Sequence, residues 1–293
     1  MSQCQIVMYH YVRDTSTTPY PDIKALPTAD FERQLDGLQA SFEVLTYPQF
    51  EQMLKGEIHF DRPTALLTFD DGFIDNYEVV YPIFQRRGIS GVFFITSSTQ
   101  DSKPTLLNVH KTHFLLAKMG ATPFANAVES ELKRELEAET IAFPNQRGLY
   151  RYDNADHRDV KRLLNYEIPF PLADRVLSRL FASVIGEDES EFARGLYVSR
   201  AQISEMAAGG MTFGGHTRTH RVLSRLSDDE QYDELADGFT LIRELTGQDS
   251  IPFCYPYGHP QTYNQATLEH LSKLGYSTAF NTCLLYTSDA ADE

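Results

Sequence analysis

Thr64-Ala-Leu-Leu-Thr-Phe69 is a continuous apolar run, and it leads at once into Asp70-Asp71-Gly72-Phe73. A run of that length without polar alternation suits a strand buried on both faces, as in a parallel sheet covered by helices. It places two adjacent carboxylates where the strand ends. Upstream, Gln5 to Tyr9 reads as a strand. Thr28 to Ala40 follows a Pro-Thr start and carries Phe31, Leu35 and Leu38 at helical spacing. Downstream, Asp75 to Arg87 is helical, with Pro82 predicting a kink or break and Gly88 closing it. Ile89 to Ile95 is the next buried strand. This order predicts parallel strands joined by crossover helices.

The pattern then changes. From Thr99 to Tyr197 the periodicity is helical, with candidates at Leu106–Met119, Pro123–Thr140, Asp156–Tyr166 and Leu172–Ile185. This stretch reads as a helical insertion between two barrel strands: a lid, a substrate platform or a partner surface. His110 and His113 lie in it at i, i+3 spacing. With no carboxylate nearby in sequence, they read as half-buried or surface histidines. The strand pattern resumes at Met211–Phe213, followed by a helix at Asp228–Thr246 closed by Gly247. A strand at Ile251–Tyr255, a helix at Gln261–Leu274 before Gly275, and a strand at Tyr276–Phe280 complete it. The tail from Cys283 to Glu293 breaks the pattern and reads as non-native, translated adapter sequence. On that reading residues 1–282 are a barrel interrupted at 99–197, and the natural C-terminus is lost.

The chain has 293 residues, 42% of them hydrophobic, enough for one large core. A formal net charge of -15 repels phosphate backbones and makes nucleic acid a poor partner. Cys4, Cys254 and Cys283 are too few and too scattered for a disulfide framework or a metal knuckle, and read as buried or incidental thiols. The N-terminus lacks a basic region followed by a long apolar one, so no signal peptide is visible. No stretch reaches the roughly 18–20 apolar residues of a membrane span. The expected location is cytoplasmic, or the cell envelope should a leader be missing.

The chemistry rests on four segments. Side chains at neighbouring strand positions point to opposite faces, so Asp70 and Asp71 reach one site only if the chain turns there, which Gly72 permits. Two carboxylates at one site repel unless a cation or a proton intervenes; a metal on one leaves the other as a base. His216 and His220 close the segment Gly214-Gly215-His216-Thr217-Arg218-Thr219-His220, whose glycines point to a tight loop with close backbone approach. With Asp71 they make a two-histidine, one-carboxylate set that suits Zn²⁺ and can hold Co²⁺, Mn²⁺, Fe²⁺ or Ni²⁺. Tyr255-Pro256-Tyr257-Gly258 is a turn able to aim a backbone N–H, that of Tyr257, at an oxyanion. His10 stands where the first strand ends, at the mouth a barrel would share, and could protonate a leaving amine.

Together these segments resemble the polysaccharide deacetylases, the family sharing the NodB homology domain (carbohydrate esterase family 4). Thr68-Phe69-Asp70-Asp71-Gly72 matches its first motif, His216 to His220 its second, and Tyr255-Pro256-Tyr257-Gly258 its third. The resemblance implies a distorted, partly open (β/α)7 barrel. It implies Asp70 as catalytic base, Asp71, His216 and His220 as metal ligands, and the Tyr257 N–H on the oxyanion. Tyr9-His10-Tyr11 resembles the poly-N-acetylglucosamine deacetylase branch, in which an N-terminal histidine is the general acid; that assigns His10 the role. The implied partner is an N-acetylated saccharide. Three features depart from the pattern. The third motif lacks the arginine that orients the base in many members, and Phe253 and Cys254 stand there instead. The Asp-Trp element is absent from a chain with no Trp, and the fifth motif lies past the apparent cut.

Other readings of the same residues are an amidase, imidase or O-acetyl esterase of the same family, and a non-catalytic carbohydrate-binding relative. A Mg²⁺-dependent phosphatase needs Asp-x-Asp spacing and a downstream lysine, and has no use for the histidine pair.

Overall fold

Strand β3 spans Thr64–Phe69, and all six of its residues are buried. The computed structural model describes residues 4–16, 18–135 and 160–282. Strand β1 (Cys4–Tyr9) pairs in parallel along β3, Cys4 opposite Thr64 and Tyr9 opposite Phe69. The helix α1 (Thr28–Ser41), the short strand β2 (Glu43–Val44) and the helix α2 (Tyr47–Leu54) connect them. Asn76–Val80 forms a π-helical turn, and α3 (Tyr81–Arg87) begins directly after it. Pro82 sits in the first turn of α3, where its missing N–H costs nothing, so the expected break takes the form of a wide turn. Gly88 ends the helix at φ 64°.

The strands β4 (Val92–Ile95), β5 (Thr212–Gly215), β6 (Phe253–Cys254) and β7 (Ala279–Phe280) follow, all parallel, in the order β1-β3-β4-β5-β6-β7. β2 joins the first two residues of β3. The sheet curls into a distorted, partly open barrel. Between β4 and β5 run α4 (Asn108–Met119), α5 (Ala121–Glu135), α6 (Phe170–Val184), α7 (Glu189–Leu196) and α8 (Arg200–Ala208). α9 (Asp228–Thr246) and α10 (Gln265–Leu274) flank β6.

Alternation along the strands makes two cores. Leu67, Phe69, Phe93 and Ile95 pack with Phe31, Leu35, Phe84, Ile203 and Ile242 of the surrounding helices. Leu66, Val92, Phe94 and Cys254 pack on the other face with Leu45, Tyr47, Phe50 and Met53. Each such side chain contributes about 1.5–3 kcal/mol by leaving water. The two cores together confirm β3 as a strand buried on both faces. The helices between β4 and β5 hold a further cluster of their own, including Leu115, Phe124, Val128, Val176 and Leu177.

Several strands are shorter than their apolar runs predict: Ile89–Ser90 and Ile251–Pro252 lie outside the strands, although the Ile251 carbonyl still accepts the Ser277 N–H at 2.9 Å and the Pro252 carbonyl the Gly215 N–H at 3.0 Å. Helices α2, α7 and α8 have no counterpart in the sequence reading. Their first turns are set by Thr46, Asp188 and Ser199, whose side chains accept backbone N–H bonds. The end of the Pro123–Thr140 helix, the start of Asp156–Tyr166 and the tail 283–293 lie outside the described residues. Among the described residues no helix is long and apolar enough to cross a membrane.

Candidate active site

Parallel strands deliver their C-terminal ends to one rim, and every residue singled out from the sequence lies there. His10 follows β1, Asp70 and Asp71 follow β3, His216 follows β5, and Tyr257 follows β6. Backbone bonds knit these exits together: Asp70 N donates to Tyr9 O at 3.0 Å, and His216 N to Ile95 O at 3.0 Å. Asp70, Asp71, His216 and His220 are all buried.

The backbone at this rim is unusual. Among the described residues the non-glycine positions with positive φ are Asp71 (72°), Thr217 (61°), His220 (56°) and Tyr257 (62°). An L-residue there is strained and persists only where its surroundings over-determine it. At Asp71 the chain takes a left-handed turn, continued by Gly72 at φ 66°. Around Thr217 and His220 the determinant is Glu234 of α9. Its Oε2 accepts the N–H groups of Arg218 and Thr219, both at 2.8 Å, and its Oε1 accepts the Thr219 hydroxyl. Thr217 Oγ1 accepts the His220 N–H at 3.0 Å. The histidine pair therefore sits on a clamped loop, as its glycines predict. A Cβ on Gly214 would stand 2.5 Å from the Pro252 carbonyl and 2.7 Å from the Phe94 ring.

Three donors converge. Asp71 Oδ1 lies 3.7 Å from His216 Nε2 and 3.6 Å from His220 Nε2. The ligand atoms of the trio all lie within 4.8 Å of one another. Nitrogen and oxygen donors about 2.0–2.1 Å from a tetrahedral Zn²⁺ stand about 3.3 Å apart, so the two Asp71–histidine distances need only a few tenths of an ångström of closure, and the histidine pair, within 4.8 Å, up to about 1.5 Å. Asp71 Oδ1 and His216 Nε2 are buried and make no hydrogen bond. Such atoms are costly unless something binds them, and a cation fits both. His216 Nδ1 donates to the Cys254 carbonyl at 2.8 Å, which leaves the Nε2 lone pair facing Asp71. Burial alone would raise the Asp71 carboxyl. His110, by charge and by hydrogen bond, together with His220 and His10, outweighs burial and holds it well below the usual range.

Two residues enter the site that the sequence reading did not place there. His110 is fully buried, and its Nε2 lies 3.2 Å from Asp71 Oδ2. The reading of it as a half-buried or surface histidine without a carboxylate is thus corrected. Asp71 is distant along the chain, and only packing of α4 over the rim brings the two together. His113 is half-buried, as expected, with its Nδ1 3.3 Å from the Tyr11 hydroxyl. Cys254 is buried, as expected, and its thiol donates to Asp70 Oδ2 at 3.5 Å, at the position where the expected arginine is missing. Neither contact has a sequence signature.

Tyr257 lays its ring edge-on to His220 at 4.9 Å. Beside them a cavity of about 260 Å³ is walled by His220 and Tyr257 on the barrel side and by Asn108, Phe170 and Asp174 on the helical side.

The polysaccharide deacetylase family matches residues 58–141 and 182–279. Over 94% of its length the chain is 20% identical to YxkH of Bacillus subtilis (strain 168), which carries a provisional polysaccharide deacetylase name; it spans 63% of that relative's length. Among solved structures it is similar to the Streptococcus pyogenes deacetylase PplD in complex with acetate. That match has 18% identity, 93% of this chain and 80% of that one, and a TM-score of 0.54. It is also similar to IcaB from Ammonifex degensii, at 20% identity, 96% and 86% coverage, and a TM-score of 0.52. A de-N-acetylase from Aggregatibacter actinomycetemcomitans shares 14% identity over 95% and 87%, with a TM-score of 0.55.

Proposed function

The chain belongs to the polysaccharide deacetylase family, and from that premise we propose that it hydrolyses the acetamide of an N-acetylated saccharide, using a divalent ion, Zn²⁺ first among the candidates, held by Asp71, His216 and His220. The observation that carries this reading is the pair of buried, unbonded donors, Asp71 Oδ1 and His216 Nε2, with His220 Nε2 beside them.

A divalent ion so held polarises an acyl oxygen and makes water acidic near neutral pH. The remaining work falls to the chain. Asp70, next to the ligand Asp71, takes the proton from the attacking water, and the Cys254 thiol holds its carboxylate in orientation. The Tyr257 N–H, turned by its positive φ, steadies the oxyanion. His10, close enough to Asp71 to help depress its pKa, gives a proton to the departing amine. The water oxygen ends in acetate, and the sugar keeps a free amine. The described helices between β4 and β5 act as a substrate platform, since Asn108, Phe170 and Asp174 wall the cavity beside His220.

The test is acetate release from a panel of N-acetylated saccharides, with and without chelator. We expect release that chelator abolishes and Zn²⁺ restores. Asp70→Asn should abolish release while the protein still binds Zn²⁺. Release from O-acetyl esters or a cyclic imide alone, or an Asp70→Asn variant at near-parental rate, would overturn the assignment.

A further inference from the structure

We infer that His110 is a positioning residue for the candidate metal ligand Asp71, and that Tyr197 in turn sets the orientation of His110. The inference rests on the proposed reading that Asp71 holds a divalent ion.

The two Asp71 oxygens face different ways. Oδ1 faces His216 and His220, and Oδ2 faces His110 Nε2 at 3.2 Å. A carboxylate oxygen accepts and cannot donate, so Nε2 is the donor this contact calls for, although it makes no aligned hydrogen bond at this geometry. On the other side of the ring the Tyr197 hydroxyl lies 2.6 Å from Nδ1. That hydroxyl also accepts the Leu107 N–H at 3.2 Å, which directs its own proton to His110. Burial, offset only in part by the Leu107 N–H, pushes the Tyr197 phenol well above its ordinary value, so it stays protonated. A chain of contacts therefore runs from the Leu107 N–H through Tyr197 and His110 to Asp71 Oδ2.

The anchorage is rigid. The His110 ring stands 4.7 Å from the Phe73 ring and 5.5 Å from that of Tyr197. Tyr197 forms an antiparallel bridge with Phe73, two residues after Asp71. On either side Ile74 N donates to Leu196 O at 2.8 Å, and Val198 N to Gly72 O at 2.9 Å. The same loop that carries Asp71 thus carries the support of the residue that orients it. Partners of this kind fix the rotamer of a ligating carboxylate, and their loss costs about 10–100-fold in metal affinity. The helices between β4 and β5 would then do more than wall a cavity: they complete the metal centre.

The experiment measures Zn²⁺ affinity of the full chain by competition with a chromogenic chelator, for the parent, His110→Phe, His110→Gln and Tyr197→Phe. The visible absorption of the Co²⁺ forms is recorded alongside. We expect His110→Phe to bind Zn²⁺ about 10–100-fold more weakly. His110→Gln, whose amide can still donate, should recover part of the loss. Tyr197→Phe should weaken binding by a smaller factor, with the Co²⁺ spectrum of each variant unchanged in form. Should His110→Phe fail to fold, Tyr197→Phe and His110→Gln carry the test. Parental affinity in the variants would overturn the inference, as would a glutamine no better than phenylalanine, or a Co²⁺ spectrum that has lost a nitrogen donor. A parent that binds no divalent ion would instead sink the proposed function and this inference with it.

Discussion

Replacing Glu234 by alanine should loosen the loop that carries both histidines. One Glu234 oxygen receives two backbone N–H groups at 2.8 Å, and the other receives the Thr219 hydroxyl. Hydrogen bonds to a charged acceptor contribute about 1.5–3 kcal/mol each, so the gross loss is roughly 5–9 kcal/mol. Glu234 is 7% exposed, at the edge of the core, so water entering the vacated space restores part of it. A net loss of about 3–5 kcal/mol follows, comparable to breaking a buried charged network. At about 2–4 °C per kcal/mol the midpoint should fall by about 6 °C or more. The loop also holds Thr217 and His220 at positive φ, a strain of about 1–3 kcal/mol each that relaxes once the clamp is gone. Zn²⁺ binding must then rebuild that geometry, which weakens affinity about tenfold or more. Glu234→Gln keeps one oxygen on the two N–H groups and can donate to the Thr219 hydroxyl, so it should cost only about 1 kcal/mol. Chemical denaturation of the metal-free protein and calorimetric titration with Zn²⁺ read the two effects separately. An alanine variant that is destabilised yet binds Zn²⁺ with parental affinity would refute the coupling. One as mild as the glutamine variant would refute the clamp itself.

Cys254→Ala removes the thiol on Asp70 but keeps the backbone carbonyl on His216, so kcat should fall about fivefold while Zn²⁺ affinity holds; a matching loss of affinity would contradict this division of labour. Gly214→Ala forces a methyl against the Pro252 carbonyl and the Phe94 ring, and should destabilise by about 1–3 kcal/mol in thermal unfolding. Burial, then Lys161, His110 and His10, hold His113 well below its ordinary 6.5 against the opposing pull of Asp71. Below pH 6.5 the unfolded chain therefore takes up a proton that the folded one refuses. Stability of the metal-free protein should fall by up to about 1.4 kcal/mol per pH unit through that window, and His113→Phe should flatten the slope measured by denaturant titration at several pH values.

Much of this molecule is legible along the chain. Thr64–Phe69 reads as a doubly buried strand because it lacks polar alternation, and α9 reads end to end because Gly247 closes its helical pattern. Asp70, Asp71, His216, His220, Tyr257 and His10 are legible too, since strand ends in a parallel sheet meet at one rim. Strand lengths are not, because single backbone bonds such as Ser277 N–H to Ile251 O continue past the regular ladder. Helix α2 escapes notice because eight residues are too few to set a pattern apart, though Tyr47, Phe50 and Met53 do line its buried side.

What the order of residues determined by itself was the run of parallel strands and crossover helices, because short-range periodicity and turn chemistry act within a few residues, and the trio of candidate ligands; the barrel and the family came from the resemblance that its motifs carry. Only the folded chain decided what supports that trio. His110 reaches Asp71 from a helix packed across the rim with Tyr197 behind it, Cys254 meets Asp70 from another strand, and Glu234 grips the histidine loop from α9. Each of these contacts joins side chains far apart in the sequence, of types that also serve as ordinary core or surface residues, and the three-dimensional packing alone gives them a partner.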